Sequence, residues 1–375
     1  MYLCVYFFFL KNFNVVICFI LRKFGYGFLV MLGIITIIFL LFSILPGDST
    51  IMTMGQRSDV SSEEAVRKEL GLDLPLGIRY LNYLNDISPL SFHNQVNTES
   101  LFYMDKNKYD ARTLFRIGKE SVFVLKKTYL GRSYQSKRLV MEMLNEAIPK
   151  TALLAVVSIF FAIVAGVFFG VLSAVFKDTW FDKTALIISV MGMSLPSFFA
   201  AILLAWIFAF LLADVTGLNM FGNLYTVSDF GDGEYLDIKN LILPAITLGI
   251  RPLATVTELM RNSSLEVMSQ DYIRTAKAKG LNSYKIIKNH LIKNALNPVV
   301  TAISGWLAGM MAGAVFVEYI FDYKGVGVMI VNGLEKYDFP VVMGSLLYIS
   351  IVLVFISILV DIIYGVLDPR AKAEK

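Results

Sequence analysis

The chain has 375 residues, of which 56% are hydrophobic and 17% charged, whereas an ordinary soluble domain has roughly 25% charged residues. The mean hydropathy is +0.64, and this excess of apolar surface excludes a soluble globule, a disordered chain, a collagen, a disulfide scaffold and a nucleic-acid-binding domain. A formal net charge of +4 is too small to indicate a polyanionic partner. The cysteines, Cys4 and Cys18, lie in the apolar N-terminal stretch and cannot form a disulfide framework or a metal cluster.

Apolar stretches long enough to cross a membrane recur along the chain. A spanning helix needs about 20 apolar residues, because each residue advances ~1.5 Å through a hydrocarbon core of ~30 Å. Six stretches meet this requirement, at 24–45, 151–176, 184–212, 241–260, 299–320 and 341–366. Residues 1–23 form an apolar N-terminal extension without a small-residue cleavage site, which we interpret as uncleaved. The predicted fold class is an all-α, polytopic membrane protein with about six transmembrane helices.

The charges of the connecting loops predict the orientation in the membrane. Segment 263–298 is rich in lysine and arginine, whereas segment 213–240 carries mainly acids (Asp214, Asp229, Asp232, Glu234 and Asp237). Because basic loops stay on the cytoplasmic side, we expect 263–298 to be cytoplasmic, 213–240 external and both termini cytoplasmic. Residues 46–150 then form a large external segment. Within it, 58–84 has an amphipathic helical pattern that starts at Ser61–Glu64, and 86–128 has no clear periodicity.

The sequence offers little material for catalysis. The histidines are His93 and His290, which lie in different predicted loops and so cannot form a metal-binding pair. There is no Gly-x-x-x-x-Gly-Lys-Ser/Thr phosphate-binding loop, and Gly118-Lys119-Glu120 lacks the hydroxyl residue and the preceding strand of such a loop. We therefore expect no catalytic residue, metal or cofactor in this chain, and any nucleotide must be hydrolysed by another chain.

The basic segment 263–298 has the pattern of a helix, a turn and a second helix. Gly280 is placed to end the first helix, Ser283 to cap the second, and Pro298 to begin the fifth span. Two interpretations stay open from the residues alone. The first helix can rest on anionic lipid headgroups as a basic amphipathic helix, or the small residues Thr275, Ala276 and Ala278 can let it lie in a groove of another protein.

This segment resembles the cytoplasmic loop of ABC-importer permeases of the dipeptide/oligopeptide type. The resemblance rests on Asp271-Tyr-Ile-Arg-Thr-Ala-Lys-Ala-Lys-Gly-Leu281 followed by Asn294-Ala-Leu-Asn-Pro298. Further family motifs occur in family order between about residues 22 and 370: Leu45–Asp48, Leu70–Asp73, Leu130–Ser133, Gly192–Phe198, Leu243–Ala245, Gly325–Gly327, Tyr337–Pro340 and Asp368–Arg370.

The resemblance implies a type I ABC importer permease fold, with a five-helix transmembrane core at 151–370 and a coupling loop at 263–298. It implies that this loop docks on the ATPase through Asp271, Arg274, Thr275, Ala276, Ala278, Lys279, Gly280 and Leu281. It also implies a second homologous permease, two ATP-binding subunits that hold ATP and magnesium, an external binding protein and a location in a bacterial inner membrane, in contact with lipid. Peptides are the implied substrate, although nickel chelates, glutathione and oligosaccharides are also carried in this family. A secondary transporter and a membrane-anchored receptor or scaffold remain as alternatives.

The chain departs from the family in three places: the extension at 1–20, an insertion at 86–128 in the external segment, and Arg251 in the fourth span. Arg251 must point into the bundle, where it either pairs with Glu258 or Asp361 or faces the pathway.

In the fifth span a face of small residues, Gly305, Gly309 and Gly313, indicates close helix packing, a contact with the second permease or a pathway lining. Pro196 is expected to kink the third span and is a candidate hinge.

Overall fold

The computed structural model describes residues 2–44, 73–97, 100, 102–105, 108–118, 120–227 and 233–367. Helices predominate, as the composition predicts. Two segments are π-helical, Ala205–Leu211 and Ile287–Leu291. The α-helices, in chain order, are α1 Tyr2–Ile44, α2 Leu76–Ile87, α3 Val140–Val175, α4 Trp180–Ser194, α5 Ser197–Leu204, α6 Ala213–Thr216, α7 Lys239–Met268, α8 Asp271–Ala278, α9 Ser283–Ile286, α10 Ile292–Ala295, α11 Asn297–Gly313, α12 Val315–Phe321, α13 Val326–Glu335 and α14 Phe339–Leu367.

Four of the described helices are long and apolar enough to cross a membrane: Arg22–Ser43 within α1, the whole of α3, the whole of α7, and Phe339–Val360 within α14. A fifth span results if α4 and the helix Ser197–Leu211 count together, although these two are bent by 114°. The predicted stretch 299–320 is helical but divided between α11 and α12. The described part of the chain thus provides four or five long spans, whereas the sequence predicts about six.

The bend between α4 and α5 lies within the predicted span 184–212, at Pro196, where the sequence predicts a kink. Proline has no N–H to donate, and it forces the preceding residue out of the helical region. Leu195 accordingly has φ −71° and ψ 130°, and α5 starts afresh with Pro196 at its N-cap. The family motif Gly192–Phe198 is therefore a helix break.

The chain divides into two compact units. The first contains residues 1–27, 147–328 and 351–375. Two clusters of buried apolar side chains form its core, one around Leu154, Leu243 and Phe321, and the other around Met260 and Leu291. The second cluster joins α7 to the segment 263–298, so that the basic loop is packed against a spanning helix.

The second unit contains residues 28–146 and 329–350, and a small antiparallel sheet lies within it. Its strands are β1 (Leu90–Asn94), β2 (Ala111–Ile117) and β3 (Ser121–Lys126), with β3 in the centre. This sheet occupies the region 86–128, for which the sequence shows no periodicity. The reason is visible in β2, whose side chains are exposed along almost the whole strand, so that no alternation of apolar and polar residues is required. The predicted helix start at Ser61–Glu64 lies outside the described residues.

Candidate functional site

Helix α8 is the helix that follows α7 in the segment 263–298. After Ala278 the chain enters the left-handed region at Gly280, where φ is +76°. The Gly280 N–H donates to the Lys277 carbonyl (2.9 Å), and the Leu281 N–H donates to the Ala276 carbonyl (3.3 Å). This pair of bonds is a Schellman motif, in which a glycine avoids the steric cost of a side chain at positive φ. The structure thus places Gly280 at the helix C-terminus, where the sequence pattern expects it.

The cap of the following helix is not the residue that the sequence pattern suggests. Asn282, rather than Ser283, is the N-cap of α9, and its side-chain oxygen accepts from the Tyr284 N–H at 3.4 Å. Both residue types are good caps, and a one-residue shift of this kind is common where two candidates are adjacent.

Helix α8 has one buried face and one exposed face. Ile273 and Ala276 are buried against the apolar cluster that also contains Met260, Val267 and Leu291. Seven of the residues predicted to contact an ATPase are exposed: Asp271, Arg274, Thr275, Ala278, Lys279, Gly280 and Leu281. Ala276 is buried, because its small side chain packs against this chain, and its contact with an ATPase stays a prediction.

A buried ion pair connects α4 to α7, and the sequence reading did not identify it. The Arg261 Nε and Nη2 atoms donate to the two carboxylate oxygens of Asp182 at 2.6 and 2.7 Å. Asp182 is 2% exposed, and it also accepts from the Asp178 N–H at 3.0 Å. In the sequence, Thr179 three residues before Asp182 is a pattern typical of a helix start. Arg261 lies 79 residues from Asp182, so no local pattern indicates that the two side chains pair.

Glu318 is fully buried in α12 and holds the turn that contains the Gly325-Val326-Gly327 motif. Its carboxylate accepts from the Thr151 hydroxyl (2.6 Å) and the Gly327 N–H (2.7 Å). The Thr151 oxygen also accepts from the Val326 N–H at 2.9 Å. The glycines are required because a Cβ at Gly327 would lie 2.5 Å from the Val315 Cα atom. A buried carboxylate bonded in this way rigidifies its surroundings.

Two other family motifs meet in the second unit. The Asp338 carboxylate accepts from the Ser133 hydroxyl and from the Tyr134 N–H (2.9 Å), which joins Leu130–Ser133 to Tyr337–Pro340. Gly131 adopts φ +86°, and a Cβ there would lie 3.4 Å from Pro340. The motifs are 205 residues apart in sequence, so their contact could not be read from spacing.

The other predicted site residues are placed as follows. Pro196 lies at the helix break, and Arg251 is exposed on α7. A Cβ built at Gly305 or Gly309 meets no heavy atom of the described residues within 4 Å, so neither glycine lies in a close helix contact within this part of the chain. Gly313 ends α11.

Among the described residues neither Arg251 nor Glu258 has an ion-pair partner. The side chain of Asp361 is not among those that the structure describes. The described part of the chain contains no group of three or more histidine, cysteine, aspartate or glutamate side chains suited to a metal ion.

These features define a multi-pass helical membrane protein with a capped, exposed helix in one of its loops. The chain belongs to the family described as the binding-protein-dependent transport system inner membrane component, whose model matches residues 166–373. The N-terminal model of this transport component matches residues 16–98. The resemblance to peptide-type ABC permeases is thereby confirmed, and the protein is a non-catalytic permease subunit of an inner membrane.

Its relatives include the dipeptide transport system permease protein DppB of Escherichia coli K12, which is 31% identical, with 95% of this chain and 99% of the relative covered. A protein of Brucella abortus strain 2308, provisionally named as a peptide transport system permease, is 32% identical over 94% of this chain and 98% of its own length. Among solved structures, the inward-facing MetNI methionine ABC transporter aligns with a TM-score of 0.49 at 18% identity, covering 61% of this chain and 97% of that one.

Proposed function

We propose that the chain is one of two permease subunits of an ATP-driven importer that moves peptides across the inner membrane. A second homologous permease, two ATP-binding subunits and an extracytoplasmic binding protein complete the assembly. Peptides are the proposed substrate because relatives that cover almost the whole chain are named as dipeptide or peptide permeases. ATP and magnesium are bound by the partner subunits, and both termini of this chain lie in the cytoplasm.

The observation that supports this function is the two-faced arrangement of α8. Ile273 and Ala276 fix one face to the core, whereas Thr275, Ala278 and Leu281 leave the other face free for a partner. A helix that rests only on lipid headgroups does not require a packed attachment to the core. A helix that transmits force from an ATPase does, since a loosely attached helix would move alone.

The contacts beyond α8 give a physical route for coupling. The apolar cluster under α8 includes Met260 of α7, and seven residues before the end of α7 the Arg261–Asp182 pair joins it to α4. Displacement of α8 by the ATPase would therefore be carried to the spanning helix α7 and to α4. The ATPase can drive the change only by binding the inward-facing and outward-facing states with different affinity.

Two tests address the function directly. With Cys4 and Cys18 replaced by serine, Ala278→Cys should crosslink to an ATP-binding subunit through a short bismaleimide, whereas Val215→Cys, which is 83% exposed in the predicted external loop, should not.

In membrane vesicles that contain the complete importer, tripeptide uptake should require ATP and the binding protein.

Three results would contradict parts of the proposed function. Uptake driven by an ion gradient without ATP would indicate a secondary transporter. ATP-driven uptake of a nickel chelate, glutathione or an oligosaccharide, but of no peptide, would keep the machinery and replace the substrate. Absence of the Ala278→Cys crosslink in an active importer would refute the docking role of α8.

A further inference from the structure

One face of α7 is polar and exposed along much of its length. The residues of this face, which we name the α7 stripe, follow one another at intervals of three or four positions. At ~100° per residue they fall within about 80° of each other around the helix axis. They are Arg251, Thr255, Glu258, Asn262 and Glu266, of which Thr255 is half-buried and the others are exposed. Such a stripe is unusual in a helix that is otherwise apolar enough to span a membrane.

The rotation of α7 about its axis is fixed by close packing on its other faces. A Cβ atom at Gly166 or Gly170 of α3 would lie 2.7 Å from a side-chain atom of Val256 or Met260, respectively. On the α4 side, a Cβ at Gly192 would lie 3.0 Å from the Ile250 Cγ2 atom. The helices approach too closely for α7 to turn the stripe inwards. The stripe therefore points away from α3 and α4.

The charges of the stripe are unfavourable in lipid. Arg251 is two to three residues from the middle of α7, or ~4 Å along the axis, so that it lies near the centre of a span. Arginine at such a depth is strongly disfavoured when it faces hydrocarbon. Among the described residues neither Arg251 nor Glu258 has an ion-pair partner that could neutralise it. The stripe thus requires water or a polar ligand.

We propose that the α7 stripe lines the translocation pathway and binds both ends of a short peptide. The Arg251 guanidinium holds the C-terminal carboxylate, and the Glu258 carboxylate holds the N-terminal ammonium group. The two Cα atoms are seven residues apart, which is ~10.5 Å along the helix. An extended chain spans at most ~3.3–3.6 Å per residue, so a tripeptide matches this separation. The inference rests on the proposed function and specifies which peptides the pathway accepts.

The test uses a cysteine at the middle of the stripe as a reporter. In the complete importer in nanodiscs, with Cys4 and Cys18 replaced by serine, Thr255→Cys should react with a charged, membrane-impermeant thiol reagent. The matched control is Phe160→Cys on α3, where Phe160 is 67% exposed and apolar and should face lipid. We expect Thr255→Cys to react at least tenfold faster than Phe160→Cys. Equal, slow reaction at both positions would overturn the inference, because the stripe would then face lipid or a dry subunit interface.

Peptide protection tests the recognition of the two ends. A tripeptide with free ends should slow the reaction of Thr255→Cys, and in the parent protein an amidated or N-acetylated tripeptide should need an about tenfold higher concentration for the same protection, the loss of affinity expected from one charge-assisted bond. In the Arg251→Gln background an amidated tripeptide should protect as well as the free one, and in the Glu258→Gln background an N-acetylated one should. Lys183→Gln, an exposed cation on α4 outside the stripe, should leave the difference between free and blocked peptides unchanged.

Equal protection by free and doubly blocked peptides in the parent protein would refute the end recognition. ATP-dependent uptake, measured on the same preparation, reports separately on the proposed function. The importer can therefore be correct while the stripe is wrong.

Discussion

A buried carboxylate in this protein holds a turn in place, and the glycines of that turn allow the close approach. Glu318 lies in α12 and bonds to Thr151 of α3, 167 residues away, and to the backbone of Gly327. An unpaired carboxylate in this position would carry a large desolvation cost. The turn at Gly325–Gly327 comes close enough to bond the carboxylate because it has no side chains there.

The first prediction compares two glycines of the same unit. Gly327→Ala should destabilise the chain by about 1–3 kcal/mol, because the new methyl group would overlap the Val315 backbone at 2.5 Å. Gly305→Ala should instead stabilise the chain by roughly 0.5–1 kcal/mol, because alanine is the better helix former inside α11 and none of the described residues lies within 4 Å of the new atom. Thermal unfolding of the purified chain in detergent measures both. Equal melting temperatures for the two variants would contradict the tight packing at Gly327.

Lys126 is a buried cation in the sheet of the second unit. Its ammonium lies 3.9 Å from the centre of the Tyr109 ring, and among the described residues it has no hydrogen-bond partner. Burial lowers the Lys126 pKa from 10.5 to about 8, with a smaller lowering by Lys108 and an opposing effect of Asp86. Between these two pKa values the unfolded chain binds more protons than the folded one. Folding stability therefore rises with pH across that interval and carries the full cost of the buried charge below pH 8.

The second prediction follows from this rise of folding stability with pH. Lys126→Met should slow hydrogen exchange in β3 at pH 7 and remove the gain in protection that the parent protein shows between pH 7 and 9.5, after correction for intrinsic exchange. Lys127→Met is the matched control, because the neighbouring Lys127 is 81% exposed and pairs with Asp110 at the surface, where ion pairs contribute little. A parent protein whose β3 protection falls over this pH range would contradict the assignment.

At the scale of elements, the ends of the helices determine what the helices can do. Pro196 ends helix α4, and the Schellman motif at Gly280 ends helix α8. Each of these two helix ends is determined by a single residue. They differ in that Gly280 must keep a positive φ, which few other residues adopt.

The third prediction tests whether α8 transmits force. Gly280→Val should cost roughly 1 kcal/mol or more at the left-handed position, distort the end of α8, and lower substrate-stimulated ATP hydrolysis and uptake while membrane insertion and binding of the external receptor persist. Gly280→Asn is the control, because asparagine tolerates this conformation and should retain most of the activity. Wild-type stimulated hydrolysis in the Gly280→Val importer would indicate a lipid-bound helix rather than a coupling element.

At the scale of the whole molecule, the loop charges predict which side of the membrane each loop occupies. The exposed basic residues of 263–298 include Lys285, and the acidic segment 213–240 includes Val215 on a short exposed helix. Asp232, one of the acids of that segment, lies outside the described residues. Val215 and Lys285 therefore report on the two sides.

The fourth prediction is the topology itself. In intact cells, in the background without Cys4 and Cys18, Val215→Cys should react with a membrane-impermeant maleimide, and Lys285→Cys should react only after the membrane is permeabilised. The physical reason is the retention of basic loops on the cytoplasmic side. The opposite labelling pattern would reverse the orientation and remove α8 from the reach of a cytoplasmic ATPase.

The sequence by itself determined the class of protein, the helical character of the spans, the helix break at Pro196 and the end of α8 at Gly280. These depend on partition into lipid and on a few neighbouring residues, and both are local properties. It also suggested the family, because its motifs keep their order along the chain.

Only the tertiary structure decided which side of each element is used. It turned Ala276 towards the core, paired Asp182 with Arg261, enclosed Glu318 beside Thr151, and formed a sheet where the sequence showed no pattern. The rotation of α7 that leaves Arg251 exposed likewise follows from glycines on two other helices. Burial and hydrogen bonding join residues that are far apart in the chain, so their outcome depends on how the helices pack rather than on local spacing.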